Sequence, residues 1–454
     1  MEWDATLLSR IQFGFTLGFH ILFPTLTIGL SGFLVILHGA WLYTAREEYL
    51  RLYRFWLKIF ALGFGTGVVS GIVLSFEFGM NFARFSQATG NVLGPLLGYE
   101  VLMAFFLEAS FLPIMLFGWG RVGPRLHFLA TVMVALGTFL SAFWILAANS
   151  WMHTPAGFEL RDGVFYVRDW WSVVFNPSFP YRLAHMLMAS LLTAAFVIAG
   201  VSAWHLRRGV HAALARRALA VSILSAAVFA PAQILIGDLH GLQVARDQPV
   251  KVAAMEALWE TTEAAPFVLV GWPDEAREAN RFAVEIPYAA SLILTHSPTG
   301  RVPGLDQAQA ADRPHVPTVF FSFRVMLAIG FYFLFVAWTG LVLWWRGRLY
   351  DRAWFQRLCI AAIPLGFVAV IAGWLVVEVG RQPWVVHGML RTADAASALE
   401  PSAVAGSLTL FVLAYLVLLG AFLAFAFRLA SQGPETAVPP QARRLPRTVW
   451  RATP

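Results

Sequence analysis

Nine long apolar runs constrain this chain more than any other feature. They lie near residues 13–42, 55–80, 94–119, 126–149, 182–204, 218–239, 319–345, 356–379 and 404–427. A segment that crosses the hydrocarbon core of a bilayer needs about 20 mostly apolar residues. Only helices and closed barrels satisfy every backbone group in lipid. These runs are too long and too evenly apolar for barrel strands. The pattern predicts an all-α polytopic membrane protein with about nine transmembrane helices. Composition agrees: 58% of the 454 residues are hydrophobic and 13% are charged, against about 25% charged in soluble domains.

The net charge of +7 raises nucleic acid as a partner, but the placement of the charges points to lipid. Nineteen Lys and Arg fall on one side, at Arg46–Lys58, Arg121 and Arg125, Arg207–Arg217, Arg346–Arg357, and from Arg428 onward. Most of these are in short loops, and an excess of basic residues there marks the cytoplasmic face. The C-terminus is therefore expected in the cytoplasm and, across nine spans, the N-terminus outside. The start, MEWDATLLSR, lacks a basic n-region and a small-residue cleavage site, so the first run reads as a retained span. The one cysteine, Cys359, lies within a span. That excludes disulfides, thiolate metal clusters and covalent haem attachment through paired cysteines.

Four parts follow: helices over 1–239, an extracytoplasmic loop over 240–318, helices over 319–427, and a Pro- and Arg-rich cytoplasmic tail over 428–454 that reads as disordered. The loop holds ten Asp and Glu against six Lys and Arg. Loops of this length are usually functional or disordered, and its apolar and Trp content argues for a folded one. Within it QPVKVAAMEALWETTEAAPF has helical spacing, with Val252, Met255 and Trp259 on one side.

Ionisable groups at membrane depth are costly and mark function by default. Here they are His20, Glu100, Glu108, His185, Arg324, Glu378 and Arg381, with Glu77 and Asp238 near span ends. His20 and His185 are lone imidazoles in apolar helices. Each could be a core histidine bonded to a carbonyl, yet neutral imidazole is also a standard axial ligand of haem iron. Met326 is ordinary packing by default, but His and Met together form a known axial pair. Arg324, two residues before it, could neutralise a buried carboxylate such as a haem propionate. Glu100 and Glu108 are eight positions apart, about 12 Å along one helix. They suit a proton relay, or the polar cavity of a transporter. Glu378 and Arg381 are i, i+3 neighbours, which a plain buried ion pair also explains. Pro383 is expected to end their helix.

The combination is more specific than its pieces. GRQPW at 380–384 resembles the signature of subunit I of the cytochrome bd-type quinol oxidases. LSRIQFGFTLGFHILFP, EVLMAFFLEASF, LSAFWILAANSWM, KVAAMEALWET and FSFRVM resemble further segments of that subunit, in the same order. The likeness runs from about residue 5 to 395, and the loop places the chain in the short quinol-loop group, which leaves the cyanide response open.

The resemblance implies a multi-pass protein of the bacterial cytoplasmic (inner) membrane that oxidises quinol and reduces O2 to water without copper. Protons would come from the cytoplasm, generating a proton motive force. Carried over by position, His185 and Met326 would ligate a low-spin haem b. His20, with Glu100 nearby, would serve one high-spin haem and Glu378 the other. One of those would be haem b and the other haem d, or a further haem b. Arg324 and Arg381 would pair with propionates or carboxylates, Trp374 would lie among the haems, and Glu108 on a proton path. Lys251, Glu256 and Asp238 would belong to the site for ubiquinol or menaquinol. A second membrane subunit (subunit II) and small accessory subunits are the implied protein partners. No role is carried over for Glu77 or His387. Haem–copper oxidases and quinol–cytochrome c reductases need histidine patterns these spans lack. The remaining alternative is a proton-coupled transporter without haem, although internal repeats typical of that class are missing.

Overall fold

The structure, a computed structural model, describes residues 4–435. Among these, nine helices or helix pairs are long and apolar enough to cross a membrane. They are α1 (Ala5–Thr44), α2 (Glu47–Met80), α3 with α4 (Ala83–Tyr99 and Phe106–Phe117), α5 (Pro124–His153), and, after the short α6 (Trp170–Val174), α7 (Phe179–Arg207) and α8 (Ala212–Asp247). The loop contributes α9 (Pro249–Glu256) and α10 (Ala289–Thr295). Beyond it come α11 (Val316–Trp345), α12 with α13 (Ala353–Ala361 and Leu365–Val379), the one-turn α14 (Thr392–Ala395), and α15 (Pro401–Gln432). Successive spans alternate in direction. The long connections, 154–178, 248–315 and 380–400, therefore share one face with the start of α1, called the N-face below.

Chemistry at the ends sets the boundaries. Spans overrun the apolar runs, and α8 continues to Asp247, beyond the loop boundary at 240. Its last turns pack Val244 into the cluster that seats the loop. Similarly, α15 runs to Gln432, past the tail boundary at 428, because His205 and His211 donate to its last carbonyls, Ala430 and Gln432. The rest of that tail, 436–454, lies outside the described residues. The eighth span breaks between α12 and α13, at 362–364, where Pro364 offers no N–H to continue the ladder. Pro383 was expected to end α13. The helix stops earlier, at Val379, and Gly380 caps it.

With lipid as solvent, helices gain little by hiding apolar surface from one another, so association rests on close packing. At Gly29 of α1 a Cβ would stand 2.4 Å from the Ser190 carbonyl of α7; the two helices touch there backbone to backbone. α7 is the most buried span and packs on α1, α5, α8, α12 and α13. α15 is the least buried, and Val417 and Phe427 face outward from it. Near the N-face, α1 is tied to α2 by the buried Glu77. It accepts hydrogen bonds from Thr16 (2.9 Å) and Gln12 (3.3 Å).

The N-face connections carry small two-stranded antiparallel sheets. These are β1 with β2 (Phe158–Arg161, Val164–Val167), β3 with β6 (Thr262–Glu263, Arg301–Val302), β4 with β5 (Phe267–Asp274, Ala279–Ile286), and β7 with β8 (Trp384–Val386, Leu390–Arg391). The loop is thus folded and partly β, through β3–β6. Its helix is shorter than the spacing predicts: α9 ends at Glu256, because Ala257 takes a left-handed conformation (φ 51°). Met255, Trp259, Val268 and Leu305 bury against Val316, Phe320 and Val376, seating the loop on α8, α11 and α13.

Candidate functional site

The first group sits on four mutually packed spans: α7 packs on α8 and α13, and α11 packs on the same two. His185 projects from α7, with Gln233 Nε2 of α8 3.2 and 3.4 Å from its two ring nitrogens. One amide hydrogen pair cannot satisfy an imidazole that way, so the ring has capacity for another partner. Met326 of α11 lies against α13 at Gly373, where a Cβ would stand 2.9 Å from Sδ. The next residue, Trp374, reaches the other way, to α1. Its indole is 3.7 and 3.9 Å from the positions a Cβ would take at Gly14 and Gly18.

His20 lies one turn further along α1, with Nδ1 2.9 Å from the Ser70 hydroxyl of α2. A Cβ at Gly71 would stand 3.1 Å from its ring. Glu100 accepts a hydrogen bond from Ser141 of α5 at 2.7 Å, and Glu108 packs its Cγ on Gly137, one turn away on the same helix. Between the two glutamates, residues Glu100–Phe105 form a π turn. Eight residues overshoot two α-helical turns, about 7.2 residues, by nearly one. A π turn absorbs about one extra residue, so both carboxylates face α5. Glu108 is 6% exposed.

The third cluster gathers at the N-face. Glu378, on the last turn of α13, accepts from Asn149 Nδ2 at 2.8 Å and pairs with Arg381. Arg381 also donates to the Val385 carbonyl, and Arg182 donates to Asn149 Oδ1 at 3.3 Å. Lys251 of α9 comes down from the loop. It donates to Gln248 Oε1, and its Nζ is 3.1 Å from His153 Nδ1. The other ring nitrogen, His153 Nε2, is 3.6 Å from Glu378 Oε1. Gly380 makes room for this lysine: a Cβ there would stand 2.9 Å from Lys251 Cγ. Burial beside Arg182 and Arg381 pushes the Lys251 pKa well below the usual lysine range. His387 falls to about 4 through burial, with Lys251 and Arg381 adding to the effect.

Glu256, five residues after Lys251, is not brought to this cluster. It pairs with Arg324 at 2.8 Å, and Arg324 also donates to the Val268 and Met255 carbonyls. Burial raises the Glu256 pKa, and Arg324 opposes the rise. Every described donor group of Arg324 is thus spent on the loop, which it pins to α11. Asp238 is exposed on α8 and approaches neither Lys251 nor Glu256 among the described contacts; it shares a helix face with Leu242 and Ala245. Those two help line a cavity of about 260 Å³ on one side of α9, and Lys251, Arg381, Trp384 and His387 help line one of about 140 Å³ on the other.

These residues fit haem. Imidazole, thioether and carboxylate are donors for iron, and glycines clear space beside His20 and Met326. Around the single carboxylate of Glu378 stand Arg182, Arg381 and Lys251, all buried. Among the described residues, Arg182 Nε, Arg381 Nε, His240 Nε2 and His387 Nδ1 have no hydrogen-bond partner. Buried cations and donors left this way are expensive, and the carboxylates of propionate groups would satisfy them.

The family model for cytochrome bd terminal oxidase subunit I matches residues 8–434. The chain belongs to the cytochrome bd terminal oxidase subunit I family. It is 34% identical to cytochrome bd-II ubiquinol oxidase subunit 1 of Escherichia coli (strain K12), covering 95% of this chain and 98% of that protein. It is 35% identical to cytochrome bd ubiquinol oxidase subunit 1 of Bacillus subtilis (strain 168), covering 93% and 92%. The solved bd oxidase from Geobacillus thermodenitrificans superposes with a TM-score of 0.88 at 35% identity, over 95% of this chain and 99% of that one. A bd-type subunit I is a haem-bearing membrane protein of a terminal oxidase, and the transporter alternative ends here.

Asn149, His153, Arg182, Gln248 and Ser141 escaped the sequence reading. A search for ionisable groups at membrane depth passes over neutral Asn, Gln and Ser. His153 and Arg182 sit at span ends, where polar residues are ordinary. The signal for the first pair was their i, i+4 spacing in NSWMH, which puts both on one face of α5.

Proposed function

We propose that this bd-type subunit I oxidises quinol at the N-face, beside α9, and delivers protons from the opposite face for the reduction of O2 to water. The observation that carries the reading is the meeting of Lys251 with Glu378 and Arg381. Lys251 packs on Gly380 of the GRQPW segment and approaches Glu378 across the His153 ring, which joins that segment to the loop that would bind quinol. His185 and Met326 would hold a low-spin haem b, and His20 and Glu378 the two high-spin haems, one of them haem b and the other haem d or a further haem b. When bound, these groups supply electron carriage and an open iron position for O2.

The chain's own residues do the rest. Quinol oxidation releases two protons for two electrons. With its pKa depressed, the Lys251 amine is available to accept a proton from a quinol hydroxyl. Arg324 holds Glu256, and hence the far end of α9, so that this amine stays placed. Trp374 fills the space between α13 and α1 and excludes water there. Glu108 and Glu100, facing α5 and its Ser141, would pass protons toward His20. The basic short loops support a cytoplasmic C-terminus and an outer N-face. Protons released there and consumed from the cytoplasm would generate a proton motive force without a separate pump. The exposed apolar surfaces of α4 and α15 leave room for lipid and for a subunit II.

Replacing Lys251 with Ala should slow quinol oxidation while an artificial donor still drives O2 consumption. Equal loss of both rates would remove the loop as the quinol site.

A further inference from the structure

The C-terminal turn of α5 touches both halves of the cluster. Asn149 donates to Glu378 Oε1 at 2.8 Å. The His153 carbonyl accepts from Gln248 Nε2 at 2.9 Å, and Gln248 Oε1 in turn accepts from Lys251. The Met152 carbonyl accepts from the backbone N–H of His387 at 2.9 Å. At the centre, the His153 ring is 1% exposed. Its Nδ1 lies 3.1 Å from Lys251 Nζ, and its Nε2, without a hydrogen bond, points at Glu378 Oε1 from 3.6 Å.

A neutral imidazole carries one proton, and the bond made by one ring nitrogen decides what the other presents. If Lys251 donates to Nδ1, the proton must sit on Nε2, where it faces the Glu378 carboxylate and can bond to it. If Lys251 instead accepts from Nδ1–H, Nε2 turns a bare lone pair toward that carboxylate, which is repulsive. We propose that His153 is a positioning residue that couples occupancy of the Lys251 site to Glu378. A quinol or quinone oxygen that takes up the Lys251 amine changes the bond this amine makes to Nδ1. The proton then redistributes between the ring nitrogens, and the hydrogen bonding of Glu378 changes with it. The inference rests on Lys251 lining the quinol site and on Glu378 serving a haem.

The test uses the purified oxidase with its partner subunit, oxidised, titrated with decylubiquinone and, in a second arm, menadione. The readout is the change in high-spin haem absorption on binding, beside the binding constant itself. The wild type should show the change. His153→Leu should bind the quinone and lose the change, whereas His153→Gln, which can both accept and donate, should keep it. Lys251→Met, which leaves α5 untouched, should lose it as well. A change of wild-type size in His153→Leu overturns the proposal, as does the absence of any change in the wild type. A wild-type quinol KM in Lys251→Ala is a different failure: it removes the reading of the site on which the coupling stands.

Discussion

Single glycines place the side chains that matter here. Gly373 is the clearest, since a Cβ there would stand 2.9 Å from Met326 Sδ. Gly373→Ala should push the thioether aside without altering any ligand. The expected outcome is a shifted and weakened low-spin haem signal in an assembled protein, read by visible absorption. A wild-type signal would mean that Met326 does not serve that haem. The ionisable groups inside apolar runs were legible in the sequence, because a His or Glu there is conspicuous, whereas His153 and Arg182 at span ends were not. Glycines were not, since only the fold shows what each one faces. Nor did spacing separate Lys251 from Glu256. They look like one pair five residues apart, yet α9 turns the first toward Glu378 and the second toward Arg324. Breaking that second, buried pair should cost about 3–5 kcal/mol, more than a surface pair would.

At the scale of the element, α5 serves as the spine of the site. Gly137, Ser141, Asn149 and His153 lie at multiples of four along it, and each meets a different acidic or basic partner. The π turn at Glu100–Phe105 is the matching device on the facing span. Insertion of one Ala after Met103 would add a residue that the single π turn does not absorb and swing Glu108 about 100° away from Glu100. Turnover should fall with the haem content unchanged, measured as O2 consumption beside pigment extraction. Unimpaired turnover would show that the alignment of the two carboxylates is not needed. The periodicity of an apolar span hides such a turn, because lipid rewards hydrophobicity at every position alike. The sequence located this span late, at 94, because the first turns of α3 from Ala83, ARFSQATGN, are polar.

For the whole molecule, the bilayer made most of the architecture legible. Lipid leaves helices few alternatives, so nine apolar runs became nine spans. The loop obeyed no such rule. Its β5 strand is exposed along nearly its whole length, so no alternation of apolar and polar residues announced it, and α9 was shorter than its pattern. At the centre of the bundle, α7 and α11 both pack on α8 and α13, and His185 and Met326 on them are proposed to ligate one low-spin haem. The most direct measurement is the reduced-minus-oxidised spectrum of the wild type against His185→Ala and Met326→Leu. Each variant should lose the low-spin haem b band, keep the high-spin bands, and no longer oxidise quinol. An unchanged low-spin band in either variant would contradict that ligation.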